Sequence, residues 1–457
     1  MNWLPDLQRA RRPIYAAIVA AIGEAVEKGE LAPGERLPSQ RAMADRLGLD
    51  LTTITRAYTR AAELGLIDSD GRRGSYVRGA ASAGESDPAG QELASGMNMP
   101  PEPEGGMLRR SIREGMAALL EGGLPPLHYQ PSGGTPAERA AAARYLSALI
   151  PGTSPDQVTI TAGAQNALHA VCGLVLERGM GVAAGRYCYP GFLSLARGLQ
   201  ANVIAVECDG EGMLPEALER AVRRQGVRAV YLVPTNDNPT ARTMGLQRRK
   251  DIAAVAIRHG LTIIEDDAYG RLPDKPLKPL ATHAPDLTWH ISGISKLITP
   301  SLRIAFLRAP QVRDSLRITG ALHDSAVMAP PLNVALVARW LADGTFPRLV
   351  RAVRAEAEVR QKAALALLDP HGATGFGSGY HLWLPLPAGR GDALAAQAAA
   401  AGLPVAPSPN FAVEEERSVQ ALRVSLGGCR SRERVARDMR RLDALLAEPR
   451  RRAQPIV

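Results

Sequence analysis

Cysteine is scarce. Four residues, at positions 172, 188, 208 and 429 of 457, are too few and too scattered for a disulfide framework or a zinc site, and they fit a reducing compartment. No uncharged apolar run approaches a membrane span. The start, Met1-Asn2-Trp3-Leu4-Pro5-Asp6, has no basic region followed by an apolar core, so no secretory leader and a cytoplasmic location are expected. Lysine is scarce too: of 55 basic side chains only those at 28, 250, 275, 278, 296 and 362 are lysine. With 46% apolar and 22% charged residues the composition is soluble and globular, and the length calls for two or more domains. A net charge of +9 permits a polyanionic partner, but an arginine-rich composition alone is weak evidence for one.

Lys296 alone among the lysines sits in an apolar run, within Ser292-Gly293-Ile294-Ser295-Lys296-Leu297-Ile298-Thr299-Pro300-Ser301-Leu302-Arg303. An ammonium held in an apolar pocket has its charged form destabilised, and its amine is freer to attack a carbonyl. The bland alternative is a surface lysine whose stem covers apolar atoms.

In the first eighty residues, Ile14, Ile18, Ile22 and Val26 fall at i, i+4 steps and predict one buried helical face from Pro13 to Val26. Gly29 ends that helix, and 31–38 is a turn-rich connection. Ser39 caps a short helix that stops at Gly48, and Asp50 caps a third that runs to Gly65. On the third helix Ile54, Ala57, Tyr58, Ala61 and Leu64 share a face. Thr52, Arg56 and Thr59 point the other way, with Thr53 near the start; hydroxyls and an arginine there suit a helix laid in a major groove. Leu66-Ile67-Asp68 and Ser75-Tyr76-Val77 read as strands around a basic tip, Asp70-Gly71-Arg72-Arg73-Gly74, a wing for the minor groove or phosphates.

Gly29-Glu30-Leu31-Ala32-Pro33-Gly34-Glu35-Arg36-Leu37-Pro38-Ser39-Gln40-Arg41, then Thr53-Ile54-Thr55-Arg56-Ala57-Tyr58 and Gly74-Ser75-Tyr76-Val77, resemble the winged helix-turn-helix of the GntR family of bacterial repressors over about residues 11–78. The resemblance implies DNA contacts from Arg41, Thr53 and Arg56, with Gly74 in the wing. Leu51 stands where family members usually carry arginine, so an operator sequence cannot be borrowed. After this domain, 11–79, the small polar stretch 80–96 reads as a flexible linker, and a second domain is expected over 97–457.

There strand-like runs alternate with helical ones: Val158–Thr161, Gly181–Ala184, Val203–Val206, Ala229–Val233, Leu261–Glu265 and Thr288–Ser292. Alternation predicts a mainly parallel sheet covered by helices, with ligands beyond the carboxyl ends of the strands. Thr161-Ala162-Gly163-Ala164-Gln165 follows a strand and opens a helix, where free amides favour a phosphate; alone this is equally an ordinary turn. Tyr189 offers a ring that could stack on a cofactor or fill a core. Asn238 sits in a stiff loop, Val233-Pro234-Thr235-Asn236-Asp237-Asn238-Pro239-Thr240. Asp266 and Asp267 emerge from an Ile-Ile strand ahead of Tyr269, and a cationic partner is required for Asp266. A protonated pyridine nitrogen is such a partner and makes the ring an electron sink. Arg303 can return to a phosphate and Arg423 can clamp a carboxylate.

Together these motifs resemble fold-type I aminotransferases over roughly residues 97–445. The resemblance implies an α/β pyridoxal 5′-phosphate (PLP) transferase fold with large and small subdomains, beside the mainly α winged helix. It makes Lys296 the Schiff-base lysine, pairs Asp266 with the pyridine nitrogen, gives Asn238 and Tyr269 to the ring hydroxyl and stacks Tyr189 on the ring. Ala164, Gln165 and Arg303, beside Gly163, hold the phosphate; Arg423 takes the ligand carboxylate. Gly377-Ser378-Gly379-Tyr380-His381-Leu382-Trp383 looks like the family's small-subdomain strand. Two departures stand out. The Asn-Pro-Thr-Gly motif ends in Ala241, and Gly293 replaces a serine that often binds phosphate, leaving Ser292 or Ser295 to compensate. No metal site is expected. The basic run Arg430, Arg432, Arg434, Arg437, Arg440, Arg441 and 450–452 reads as a solvated helix face without assignment.

A GntR-type winged helix joined to an aminotransferase-like domain resembles the MocR (GabR-like) subfamily of regulators. That implies a homodimeric transcription factor on double-stranded operator DNA, sensing an amino acid or amine through an external aldimine at Lys296. The rival is a true PLP-dependent aminotransferase with an accessory DNA-binding domain. A third possibility is a DNA-binding protein whose large domain is a dimerisation scaffold.

Overall fold

Two periodicities divide the chain: i, i+4 apolar spacing dominates its start and short apolar strands its remainder. The computed structural model describes residues 3–5, 13–27, 30–31, 35–63, 66–70, 74–77, 97–122, 128–387, 389–414 and 419–447. The join 80–96, Gly29, Gly65, the tip residues Arg72 and Arg73, and Arg450–Arg452 lie outside them. By its contacts the chain forms two compact units, Met1–Pro88 and Ala89–Val457.

The first unit has helices α1 (Ile14–Glu27), α2 (Gln40–Leu47) and α3 (Leu51–Glu63), then an antiparallel hairpin of β1 (Ile67–Asp70) and β2 (Gly74–Val77). The Ser39 hydroxyl accepts from the Ala42 amide at 3.2 Å, and Gly48 closes α2 in the left-handed region, φ 63°. At α3 the Asp50 carboxylate accepts from the Thr52 amide at 2.7 Å. Ile18, Ile22, Met43, Ile54, Tyr58 and Ile67 form its core, each isoleucine contributing about 1.5–3 kcal/mol by burial. The hydroxyl of the buried Tyr58 donates to the Pro38 carbonyl at 2.7 Å.

The second unit is built on strands β3 (Val158–Thr161), β4 (Gly181–Gly185), β5 (Asn202–Val206), a small hairpin β6–β7 (Cys208–Asp209, Gly212–Met213), β8 (Val227–Leu232), β9 (Thr262–Asp266), β10 (Thr288–Gly293) and β11 (Ala305–Arg308). Seven of these form one sheet in the order β3-β11-β10-β9-β8-β4-β5, parallel except that β11 runs against both its neighbours. Alternate residues serve opposite faces: Ala184, Tyr231 and Ile264 pack in one core cluster and Ala183, Val230 and Ile263 in another. Both faces are therefore covered, as nearly continuous apolar strands require. A second, antiparallel sheet has the order β12 (Thr374–Gly375), β13 (His381–Pro385), β15 (Ala421–Ser425) and β14 (Val405–Pro407). The unit is the fold-type I transferase architecture with its large and small subdomains, and β11 is a strand that the alternation of the sequence did not announce.

The basic run is not uniformly a solvated face. On the helix Arg432–Ala447 Arg437, Arg440 and Arg441 are exposed, but Arg430, just before it, is 6% exposed. Its guanidinium donates to the carbonyls of Ser425 and Gly427, each at 2.9 Å, and faces Asp438 at 3.5 Å. Carbonyls at and just past the end of β15 and a buried carboxylate explain a cation there. No described helix is long and apolar enough to cross a membrane.

Candidate functional site

The loops leaving the carboxyl ends of β3, β4, β8, β9 and β10 converge on one pocket. Its wall includes Ala164, Gln165, Tyr189, Asn238, Asp266, Tyr269, Ser295, Lys296 and Arg303. Gly163, Ser292 and Arg423 are not on that wall. Parallel strands put these side chains together because each exits at the same edge.

Asp266 ends β9 in a run of three acids, and the period-2 alternation of a strand separates them. Glu265 accepts from the Leu280 and Ala281 amides, at 2.6 and 3.1 Å, and meets His290 Nδ1 at 2.8 Å. Asp267 lies on the same side, 3.8 Å from His290 Nε2. Asp266 faces the pocket. One of its oxygens accepts from the Tyr231 hydroxyl at 2.9 Å, and Tyr231 is itself stacked on Phe192 with ring centroids 4.0 Å apart. The other oxygen, Oδ1, is buried and has no hydrogen-bond partner. Burial pushes this carboxyl up to about 6, against the Tyr231 bond.

Lys296 follows β10 and its ammonium donates to the Asn98 carbonyl. Burial pulls it down to about 8, with the Arg423 charge acting in the same direction and Asp266 against it. Tyr269 is 2% exposed; its oxygen accepts from Asn98 Nδ2 at 3.0 Å, leaving its own proton free to donate. The Tyr380 hydroxyl donates to the Lys296 carbonyl at 3.0 Å. Asn98 and His381 are site residues that the sequence reading did not single out.

At the opposite end α4 (Ala164–Val175) begins on Gly163, φ 89°. A Cβ at 163 would be 3.4 Å from the Arg303 guanidinium carbon, so that arginine lies directly over the turn. Free amides of the first helical turn and a guanidinium together make an anion site. Gly293 has a packing reason: a Cβ there would meet the Ala164 methyl at 3.2 Å. Of the two serines available to compensate, Ser295 lines the pocket, whereas Ser292 is buried in β10 at 2% exposure. Tyr189 caps the helix α5 (Pro190–Gly198); a side chain at Gly191 would collide with its ring and with the Gln165 amide. The Gln165 Oε1 is likewise buried without a partner.

Arg423, on β15, is 4% exposed; it donates to Asn238 Oδ1 at 2.8 Å and lies 5.1 Å over the Phe411 ring. Asn238 is thereby shared between the pocket and the arginine. The peptide between Asn238 and Pro239 is cis, and Ala241 takes the left-handed φ of 57° that a glycine would adopt freely.

In the first unit Arg41, Thr52 and Arg56 are exposed, Thr53 and Gly74 half-buried. The Arg56 guanidinium sits 4.3 Å over the Tyr15 ring. The Thr52 hydroxyl donates to the Asp50 cap. Gly74, φ 110°, admits the Arg36 side chain, whose Nε would be 2.9 Å from a Cβ at 74. Leu51, at 41% exposure, shares the open start of α3.

Residues 14–77 match the model of the gntR family of bacterial regulatory proteins, and residues 125–302 that of aminotransferase class I and II. An uncharacterized HTH-type transcriptional regulator of Bacillus subtilis, YdeF, is 27% identical over 98% of this chain and 97% of its own. PtsJ of Salmonella typhimurium, a vitamin B6 salvage pathway transcriptional repressor, is 28% identical over 81% of this chain and 84% of its own. A 2-aminoadipate transaminase of Thermus thermophilus is 32% identical over 59% of this chain and 69% of its own. Among solved structures, LysN, the α-aminoadipate aminotransferase of Thermus thermophilus complexed with N-(5′-phosphopyridoxyl)-L-leucine, superposes with a TM-score of 0.69 at 27% identity, covering 78% of this chain and 94% of that one. With a gntR helix-turn-helix ahead of a class I and II aminotransferase domain, and HTH-type transcriptional regulators aligned along most of its length, this chain belongs to the class I and II aminotransferase family and has the architecture of MocR-like regulators.

Proposed function

We propose that the protein is a PLP-dependent transcriptional regulator that senses an amino acid or amine by exchange at Lys296. One observation carries this reading: the buried Asp266 carboxylate offers an unpartnered oxygen to the pocket that also holds the depressed Lys296 amine. The residues present fit the cofactor. Asp266 would hold the pyridine nitrogen, Tyr269 and Asn238 the ring hydroxyl, and Tyr189 a ring face. Arg303 and the amides after Gly163 would hold the phosphate, with Ser295 within the same wall. When bound, PLP supplies an aldehyde carbon that amines attack in exchange with one another, and a ring that withdraws electrons.

Lys296 is suited to such exchange because lowering the amine to about 8 gives it a far larger neutral fraction near neutral pH than an ordinary lysine has, although the protonated form still predominates. Asp266 supplies the countercharge that keeps a pyridine nitrogen protonated. Arg423, oriented by Asn238 and nearly excluded from water, would take a ligand carboxylate. In the winged-helix unit Arg41, Thr52, Thr53, Arg56 and Gly74 would face double-stranded operator DNA. The protein would act as a cytoplasmic homodimer, matched to two half-sites. Ligand controls DNA binding only by favouring one conformation over another.

The likeness to a transaminase favours one rival, an authentic aminotransferase with an accessory DNA-binding domain. PLP-loaded protein titrated with a panel of amino acids, read by absorbance and by fluorescence anisotropy of a fragment of its own promoter, tests the choice. Regulation predicts an absorbance change and a changed DNA affinity with the same ligand. Steady product formation with a keto acid at enzyme-like rates, without any effect on DNA, would overturn it.

A further inference from the structure

The residues just past the join are fastened to the reacting lysine. Asn98 is 2% exposed. Its side-chain NH2 spends one hydrogen on the Tyr269 hydroxyl oxygen and the other on His381 Nδ1, each at 3.0 Å. His381 can accept there because its Nε2 donates to the Asp237 carbonyl at 3.0 Å, and burial, pulling the ring down to about 3, keeps it neutral. The Asn98 carbonyl takes the Lys296 ammonium. Met97, beside it, lines the pocket. The next residues are laid on the small subdomain: Met99's carbonyl fills the space where Gly427 lacks a side chain, Pro101 bridges Gly428, and the Gly428 amide donates to the Pro100 carbonyl at 3.2 Å. Asn98 thus touches Tyr269 of the large subdomain, His381 of the small one and Lys296 between them.

We propose that Asn98 is a positioning residue of the site: its amide fixes Tyr269 as a donor toward the pocket, and its carbonyl ties the chain emerging from the join at 80–96 to the Lys296 amine. With Asn98 donating to the Tyr269 oxygen, the tyrosine proton is left for an acceptor in the pocket or for the neighbouring Tyr380 hydroxyl. When Lys296 gives up its donors to a reaction, the Asn98 carbonyl loses its partner, and a buried carbonyl does not stay unpaired at no cost. The strap 98–102 is then held less firmly. This inference rests on the PLP reading of the pocket.

The test uses Asn98→Ala, which removes the amide, and Asn98→Asp, which keeps the shape but can only accept. Each is loaded with PLP, and the pH at which its visible absorbance changes is compared with the wild type. A donor aimed into the pocket favours negative charge on the acceptor it meets. Losing it moves the midpoint up by about one pH unit, while Asp266, Arg423, Tyr380 and His381 around Tyr269 stay in place. An unchanged midpoint in both variants overturns the proposal. A second measurement needs no Asn98 variant: hydrogen exchange of the backbone amides of Asn98, Met99 and Glu102, residues 100 and 101 being proline, in PLP-free wild type and in Lys296→Met. Exchange should be several-fold faster in Lys296→Met; identical exchange overturns the tie between strap and lysine. If the wild type takes up no PLP, the cofactor reading fails, and the exchange comparison still decides for or against Asn98.

Discussion

Replacing Asp266 by asparagine sets two opposite effects against each other. In the PLP-free chain the carboxyl is raised from 3.8 to about 6 by burial. The native state therefore holds the proton more tightly than the unfolded chain, and stability falls as pH rises through the window from 3.8 to about 6. Above it the whole penalty is present; below it the penalty is absent. At about 1.36 kcal/mol for each pH unit, the ionised group costs the folded chain about 3 kcal/mol at pH 7. An asparagine amide carries no charge and can still accept from Tyr231, so Asp266→Asn without PLP is expected to be more stable by up to about 3 kcal/mol at pH 7 and by less than about 1 kcal/mol at pH 4. With PLP the sign reverses, because a charge-assisted hydrogen bond to the ring, about 1.5–3 kcal/mol, is lost and affinity falls about 10- to 100-fold. Urea unfolding followed by tryptophan fluorescence, and PLP titration by absorbance, measure the two effects. A variant no more stable than wild type at pH 7 without PLP, or one that binds PLP as tightly, would refute the reasoning.

Two further expectations come from separate parts of the chain. Ala241→Gly relieves a left-handed φ of 57°; strain relief of about 1–2 kcal/mol less the chain-entropy cost of glycine leaves a gain of about 0.5–1 kcal/mol in urea unfolding, and a loss of stability would contradict the strain. Arg56→Ala removes an exposed guanidinium that the proposed function assigns to the groove; binding of the promoter fragment by anisotropy should weaken about tenfold, and unchanged affinity would exclude Arg56 from the interface.

Much of this was legible because local chemistry and fold agree. The strands announce themselves as short β-branched or small apolar runs, and Ser39 and Asp50 mark helix starts by their capping chemistry. β11 was missed because Ala-Phe-Leu-Arg is too short to carry a period and runs antiparallel between β3 and β10. The pocket residues could be singled out one by one, since each leaves a strand end. Their pairings could not. Asn98 meets Tyr269 and His381 across 171 and 283 residues, and Arg423 meets Asn238 across 185. No spacing rule spans such distances; they are products of how the two sheets assemble. Gly293 also looked like a defect until the Ala164 methyl was seen against it.

The central claim is that Lys296 is the amine that carries PLP. Reduction of the PLP-loaded protein with borohydride, followed by proteolysis and mass spectrometry, tests it directly. The account predicts a phosphopyridoxyl group fixed on Lys296 and none in Lys296→Met; a label at another lysine, or no label at all, would contradict it.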